Sequence, residues 1–426
     1  MTTFQASMSQ LKQKPLRGIL SLAVLSLFAQ SAYAIDLTGA FEMAKGGDPK
    51  FQAAKAEKDA NMANSIASRS AYLPSLTWTQ SQPTTINYSQ KTSGMSQPIF
   101  DAGKGASVLQ GGAQSTYADA NFASQAIDLA QRTTTAVQQI IVATEAIKAN
   151  ETSIAAYESQ YQGAKRKYEL GQGTVTDLLD VQVRFEQAKA NQLTLQANLK
   201  SAQDQFFAIT GEYPTSNDFV LPHQHQTVKL EPLESILSKA DSDNPNIIAA
   251  LANERIAKLD IVKASAAVLP TVSYTWQKIS AVNTPTTNNN GISVSIPLNA
   301  AAYINTYAST AKARQSSENR QATQVQTSTQ AKNLYAQVEA GFESLKIRAQ
   351  AINSARQSVT ANQKSYEAGV KSTTDVLISI QSLAQTRNDY AQSASQIALN
   401  YLNLLLVGAE EPDTAIAKTQ AFLFRK

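Results

Sequence analysis

The sequence predicts a mainly α fold with a β section: long coiled helices and two β-hairpins, laid out twice along one chain. Three observations predict it. Tyr168-Glu-Leu-Gly171, followed by Thr176-Asp177, recurs as Tyr366-Glu-Ala-Gly369 followed by Thr374-Asp375, 198 positions on (168 against 366). The stretch before each copy carries the same heptad seam in the same register. Upstream of each seam, apolar and polar residues alternate with period two, as in half-buried strands.

The N-terminus is expected to be a removable leader over residues 1–34. Lys12, Lys14 and Arg17 form a basic region, Ile19 to Ala29 an apolar run too short to span a bilayer, and Ala32-Tyr33-Ala34 a small-x-small cleavage site. The formal net charge of +4 falls to +1 once those three cations are removed. The chain's basicity is then largely a property of the leader, and it gives no ground for a nucleic-acid partner. Cysteine is absent, which excludes disulfides, thiolate metal sites, a cysteine nucleophile and a lipid-modified N-terminal cysteine. No apolar run of transmembrane-helix length follows the leader, so an exported soluble protein or a β-barrel remains.

Paired marks divide residues 35–426, expected as one domain, into repeats 35–214 and 232–412, with a linker at 215–231 and a tail at 413–426. Asp48-Pro49 is answered by Asn244-Pro245, and Leu73-Pro74 by Leu269-Pro270. Each repeat opens with an expected helix, Asp36 to about Ala71 and about Pro232 to Val268, stopped by the Leu-Pro pair. Strands follow. Leu76 and Trp78 alternate with Ser75, Thr77 and Thr79; Val272, Tyr274 and Trp276 alternate with Thr271, Ser273 and Thr275; Ile292, Val294 and Ile296 continue the pattern. Asn283 to Gly291 is expected as the second hairpin's turn. Trp78, Tyr274 and Trp276 on an apolar strand face fit membrane-interface aromatics.

Then come helices of about 70 residues, about 105 Å long, the first from about Asp101 to Glu169. Its seam is Ile140, Ala143, Ile147, Asn150, Ile154, Tyr157, Tyr161, Ala164 and Tyr168; the second runs from Val338 through Leu345 and Ile352 to Tyr366. A coiled coil or a tube needs that length, and no single globular core does. Return helices are expected over about Thr176 to Thr210 and Thr374 to Leu406, the latter burying Val376, Ile380, Leu383, Tyr390 and Ile397. Gly171 and Gly369 supply the left-handed residue that ends each long helix. Thr176 and Thr374 are expected to cap the return helices, with Asp177 and Asp375 in the first turn. The linker and the tail are expected to pack locally at most.

No catalytic constellation emerges. The two histidines, His223 and His225, sit in the linker with Asp218 as the one carboxylate near them in sequence, and neither a phosphate loop nor a nucleophile elbow is present. No metal and no cofactor is expected.

Nearly the whole of residues 35–426 resembles the TolC-like outer membrane efflux family. The residues that carry the resemblance are the helix, Leu-Pro and hairpin order, Pro98-Ile-Phe-Asp101 at the strand-to-helix junction, and the two Tyr-x-x-Gly turns with their Thr-Asp. The resemblance implies a homotrimer in which each protomer gives four strands to a twelve-stranded outer-membrane barrel, embedded in lipid, while the helices form a periplasmic α-barrel. It implies an inner-membrane pump or ATP-driven exporter and a periplasmic adaptor as partners. It implies further that the two turns lie at the tunnel entrance, with Tyr366, Lys371 and Asp177 in a closing network and Asp375 in a carboxylate ring. Two residues depart from the family pattern. Lys371 stands where an arginine is usual, which replaces a bidentate fork by a point charge, and apolar Ile378 stands where a second acid ring is usual. Asp180 is an extra acid on the first turn. A rival reading is an exported helical rod, structural or adhesive, whose hairpins are soluble.

Overall fold

The computed structural model describes residues 35–82, 89–215, 218–222, 228–297 and 300–424. The expected leader and both histidines lie outside them. Helices α1 (Leu37–Gly47) and α2 (Pro49–Arg69) come first, then strands β1 (Ser75–Ser81) and β2 (Gln90–Phe100), the long helix α3 (Ala102–Glu169) and its return α4 (Val175–Thr210). The order then recurs as α5 (Leu233–Asp243), α6 (Pro245–Ala266), β3 (Thr271–Ala281), β4 (Thr287–Ser295), α7 (Ala301–Glu367) and α8 (Thr373–Val407), and the chain closes with α9 (Pro412–Phe424).

The expected single opening helix of each repeat is two helices. Proline disfavours helix in the residue before it, and Asp48 and Asn244 are extended there, at ψ 114° and 124°. Each then caps the second helix: the Asp48 side chain accepts from the Lys50 and Phe51 amides, and the Asn244 side chain from the Asn246 amide at 3.0 Å. Asp48 is 2% exposed and also pairs with Arg132 of α3. Asp48→Ala should therefore cost about 2 kcal/mol by removing a cap and one of the two carboxylates that Arg132 pairs with, Asp128 remaining. Asp48→Asn keeps the cap and should cost distinctly less; urea unfolding midpoints in the order wild type, Asn, Ala check this.

The four strands form one antiparallel sheet in chain order, and β2 with β3 joins the two hairpins. The second turn is shorter than expected. Asn288, Asn289 and Asn290 pair with Lys278, Gln277 and Trp276 inside β4, so ladder pairing overrides the low strand propensity of asparagine. At the helix end of β2, Tyr72 fixes the junction: its hydroxyl donates to the Asp101 carbonyl at 2.7 Å, and Asp101 caps α3 through the Lys104 amide.

Helices α3 and α7, 68 and 67 residues, pack along α4 and α8 respectively, and α3 against α8 joins the halves. Of the seam, Ile140, Asn150, Tyr157, Ala164, Val338 and Leu345 are buried. At Gly341 a Cβ would stand 2.7 Å from Ile397, so the α7–α8 contact there depends on the missing side chain.

The main core lies where α1, α3, α4, α7, α8 and α9 meet, and it overturns two expectations. The tail forms a helix whose Ala415, Ile416, Phe422 and Leu423 are buried, with Phe422 against Phe342 and Tyr401. The linker reaches the same core: Phe219 packs on Phe206 and Phe424, and Tyr390 donates to the Pro222 carbonyl at 3.4 Å. Burial pushes the Tyr390 phenol up to about 12. Among the described residues no helix is long and apolar enough to cross a membrane.

Candidate functional site

Both long helices end in the same turn. Gly171 and Gly369 hold φ of +71° and +74°. Their amides donate to the Tyr168 and Tyr366 carbonyls, and the next residues, Gln172 and Val370, donate to those of Lys167 and Ser365. This is a Schellman ending, which satisfies the last carbonyls of a helix. The return helices start earlier than expected. Their caps are Thr174 and Ser372, and Thr176 and Thr374 are exposed helical residues. Spacing explains the shift. A capping hydroxyl needs a partner three residues on; Thr174 and Ser372 meet Asp177 and Asp375 there, whereas Thr176 and Thr374 would meet Leu179 and Leu377.

The two turns differ in charge. The Ser372 hydroxyl and amide donate to Asp375 at 2.8 and 3.0 Å, and Lys371 Nζ lies 3.4 Å from the same carboxylate. Ser372's two hydrogen bonds, with help from Lys371, hold Asp375 below its ordinary 3.8. On the first turn Asp177 accepts from the Thr174 hydroxyl at 2.6 Å, Gly173 replaces the lysine, and Asp180 is exposed. Ile378 is also exposed, one helical turn beyond Asp375. Within one chain no hydrogen bond joins Tyr366, Lys371 and Asp177 among the described residues.

Further residues that the sequence did not single out complete the site. Lys167 Nζ sits 4.0 Å from the centre of the Tyr366 ring, a cation–π contact between α3 and α7. Gln160, buried on α3, donates to Gln363 of α7. From Lys371, in the turn just before α8, a stripe spaced four and three runs along α8 through Asp375, Ile378, Ser382, Gln385 and Asp389, with Gln385 donating to Asp389 at 2.7 Å. That stripe was legible as a heptad from Asp375; the Lys167 and Gln160 contacts join residues about 200 positions apart and were not.

Under the turns lies a second apolar cluster: Tyr157, Ala164, Val181, Ala188, Val376, Leu377 and Ile380, with Tyr366 against it. It draws on α3, α4 and α8 and fixes where both turns sit. At the opposite end of the long helices is the sheet. Paired residues share a face, and its register puts Trp78, Tyr274 and Trp276 on one face with Leu76, Met95, Val272, Ile292 and Val294. The other face holds Thr77, Thr79, Gly94, Ser96, Ser273, Thr275, Gln277, Asn289 and Ser293. The first face is apolar toward the helices and turns polar toward the hairpin tips, where Gln80, Lys91, Ser93, Lys278 and Asn288 lie; the second is wet and uncharged.

The family model for outer membrane efflux proteins matches residues 40–212 and 236–407. The chain belongs to the outer membrane efflux protein family. It is 26% identical over 402 residues to the alkaline protease secretion protein AprF of Pseudomonas aeruginosa, covering 87% of this chain and 84% of that one. It is 22% identical over 424 residues to the outer membrane protein TolC of Escherichia coli, covering 92% and 85%. The fold is that of the Campylobacter jejuni outer membrane channel CmeC, at a TM-score of 0.74, 14% identity and 99% coverage of both chains. Like its family, this chain is an outer-membrane export channel that reaches into the periplasm; the family is one of channels rather than enzymes. Membership sets aside the rival helical rod with soluble hairpins.

Proposed function

We propose that three copies of this chain form one exit duct, each giving its four strands to a twelve-stranded barrel and its helices to a periplasmic tunnel, and that a periplasmic adaptor and an inner-membrane pump or ATP-driven exporter feed it. The single observation that carries this is the two-faced sheet. Its four strands leave β1 and β4 as open edges, and symmetric closure over three copies removes them. The apolar face then meets lipid and the uncharged polar face lines the lumen. Residues 35–214 and 232–412 are read as tandem repeats, which give each protomer two helical hairpins around the tunnel. The name of AprF supports secreted protein as a cargo, beside small molecules. Mass measurement of the detergent-purified protein should give three chains; a stable monomer would overturn this assembly.

The turns are read as the entrance. Asp375 forms a carboxylate ring around the axis, with Ile378 an apolar step beside it and Asp389 a second acid two heptads up the same stripe. Tyr366 is held by Lys167 of its own chain, and Lys371 shares its charge between Asp375 and Asp177 of the neighbouring protomer, with Asp180 beside it. In planar bilayers, Tyr366→Phe should leave conductance nearly unchanged, because the ring remains under Lys167. Lys371→Ser should raise conductance several-fold. Equal conductance in wild type and Lys371→Ser would remove the lysine from the gate.

A further inference from the structure

The sheet carries two formal charges, Lys91 and Lys278, and no acid: residues 75–100 and 271–300 contain neither Asp nor Glu, nor any Arg or His. Both lysines are exposed, and neither ammonium takes part in an ion pair or hydrogen bond among the described residues. Their side of the sheet follows from the register. Lys278 shares a row with Ser93 and Trp78, and Lys91 a row with Gln80 and Ser280, so both project from the apolar face that carries the tryptophans. The polar face holds no charge at all.

Their height follows from the chain path. The helices join the sheet at Ser75, Phe100, Thr271 and Ser295, so those ends point to the periplasm and the hairpin tips point out of the cell. Going outward on the apolar face, the rows are Val272 with Val294, Tyr274 with Ile292, Trp276 with Met95 and Leu76, then Lys278 with Trp78, then Lys91. The lysines begin where the aromatic row ends. A lipid-facing lysine is costly at the bilayer midplane and nearly free at the interface, so the position is tolerable only at headgroup level. There the face offers unpaired cations to lipid phosphates.

We propose that Lys91 and Lys278 form a binding surface for phosphorylated anionic headgroups of the outer leaflet, six cations around a trimer, which selects the lipid next to the barrel and fixes its depth. This rests on the reading that the apolar face meets lipid, and the test separates the two. The chain has two tryptophans, Trp78 and Trp276, and both are on this face. Trp78 is two strands from Lys278, about 10 Å at ordinary strand spacing.

Full-length protein is reconstituted with brominated phosphatidylglycerol or brominated phosphatidylcholine as a minor component, and tryptophan quenching is compared. Anionic lipid should be enriched about fivefold beside the tryptophans, and Lys91→Gln/Lys278→Gln should quench equally with both lipids. Equal quenching in the wild type, or a preference retained in the double variant, overturns the proposal. Quenching by neither lipid would instead overturn the lipid-facing reading itself. Quenching by brominated phosphatidylcholine in the double variant also reports correct insertion, so misfolding cannot pass as loss of selectivity. Loss of the wild-type preference on adding inorganic phosphate, but not chloride of equal ionic strength, would assign the site to a free anion and also overturn the proposal.

Discussion

Asp375→Ala should abolish block of the reconstituted channel by divalent cations, because it removes one carboxylate from every protomer of the ring at once. The expectation depends on Asp375 being charged and aimed, and the turn secures both. Its carboxylate is the acceptor of a capping box closed by Ser372, with Lys371 beside it. These partners favour the ionised form and lower its pKa below 3.8. The sign follows: the charge is present above the lowered value and lost only as pH falls through it. Three like charges near one axis push the other way, but a bound divalent ion cancels that repulsion. Block should therefore survive acidification through the ordinary aspartate range and fail below it. Ser372→Ala should keep block at neutral pH and move its loss to higher pH, because the largest cause of the shift is gone. Wild-type block in Asp375→Ala would place the cation elsewhere, and Asp389 would be the next residue to replace.

The ends of the long helices were legible because each is set by a local rule: Asp101 caps α3, and Gly171 and Gly369 take the left-handed conformation that stops α3 and α7. The faces of the sheet were legible from period-two alternation. What the sequence hid has three physical sources. Pro49 is visible as a repeat mark, yet the helix break there follows only when the extended preference of the residue before proline outweighs the helix-forming residues on either side. Helix α9 is obscured by the acidic, turn-like stretch before it, although Pro412 at its first position and Ile416, Thr419 and Leu423 at helical spacing announce it. The contacts of Lys167 with Tyr366 and of Gln160 with Gln363 belong to tertiary geometry, which no local pattern encodes. The caps show the limit of motif reasoning: the Thr-Asp pairs pointed to the right turn, but the hydroxyls that bond are two residues earlier.

Leu377→Ala should loosen the entrance while leaving the rest of the molecule as stable as before. Leu377 is 5% exposed in the cluster under the turns. Truncating such a leucine costs about 2–5 kcal/mol. How that cost spreads depends on whether this cluster is continuous with the main core. Between them the seam turns polar: Asn150, 9% exposed, donates to the Ala188 carbonyl at 2.9 Å and to Gln192 at 2.8 Å, and the Asn191 side chain donates back to it. A buried asparagine on a coiled-coil seam fixes register at a cost in stability, and here it also interrupts apolar contact between the two clusters. The tip is then its own cooperative unit. Hydrogen exchange around Tyr157, Val376 and Ile380 should quicken by roughly 30-fold or more, matching the lower end of that cost, and conductance should rise. Exchange at Leu402, Ile416 and Leu423 in the main core should not change. Leu402→Ala, in a side chain with no exposure, should do the reverse and lower the global stability. Equal acceleration at both ends in Leu377→Ala would mean that the polar seam does not divide the helices, and that the entrance cannot open without straining the whole tunnel.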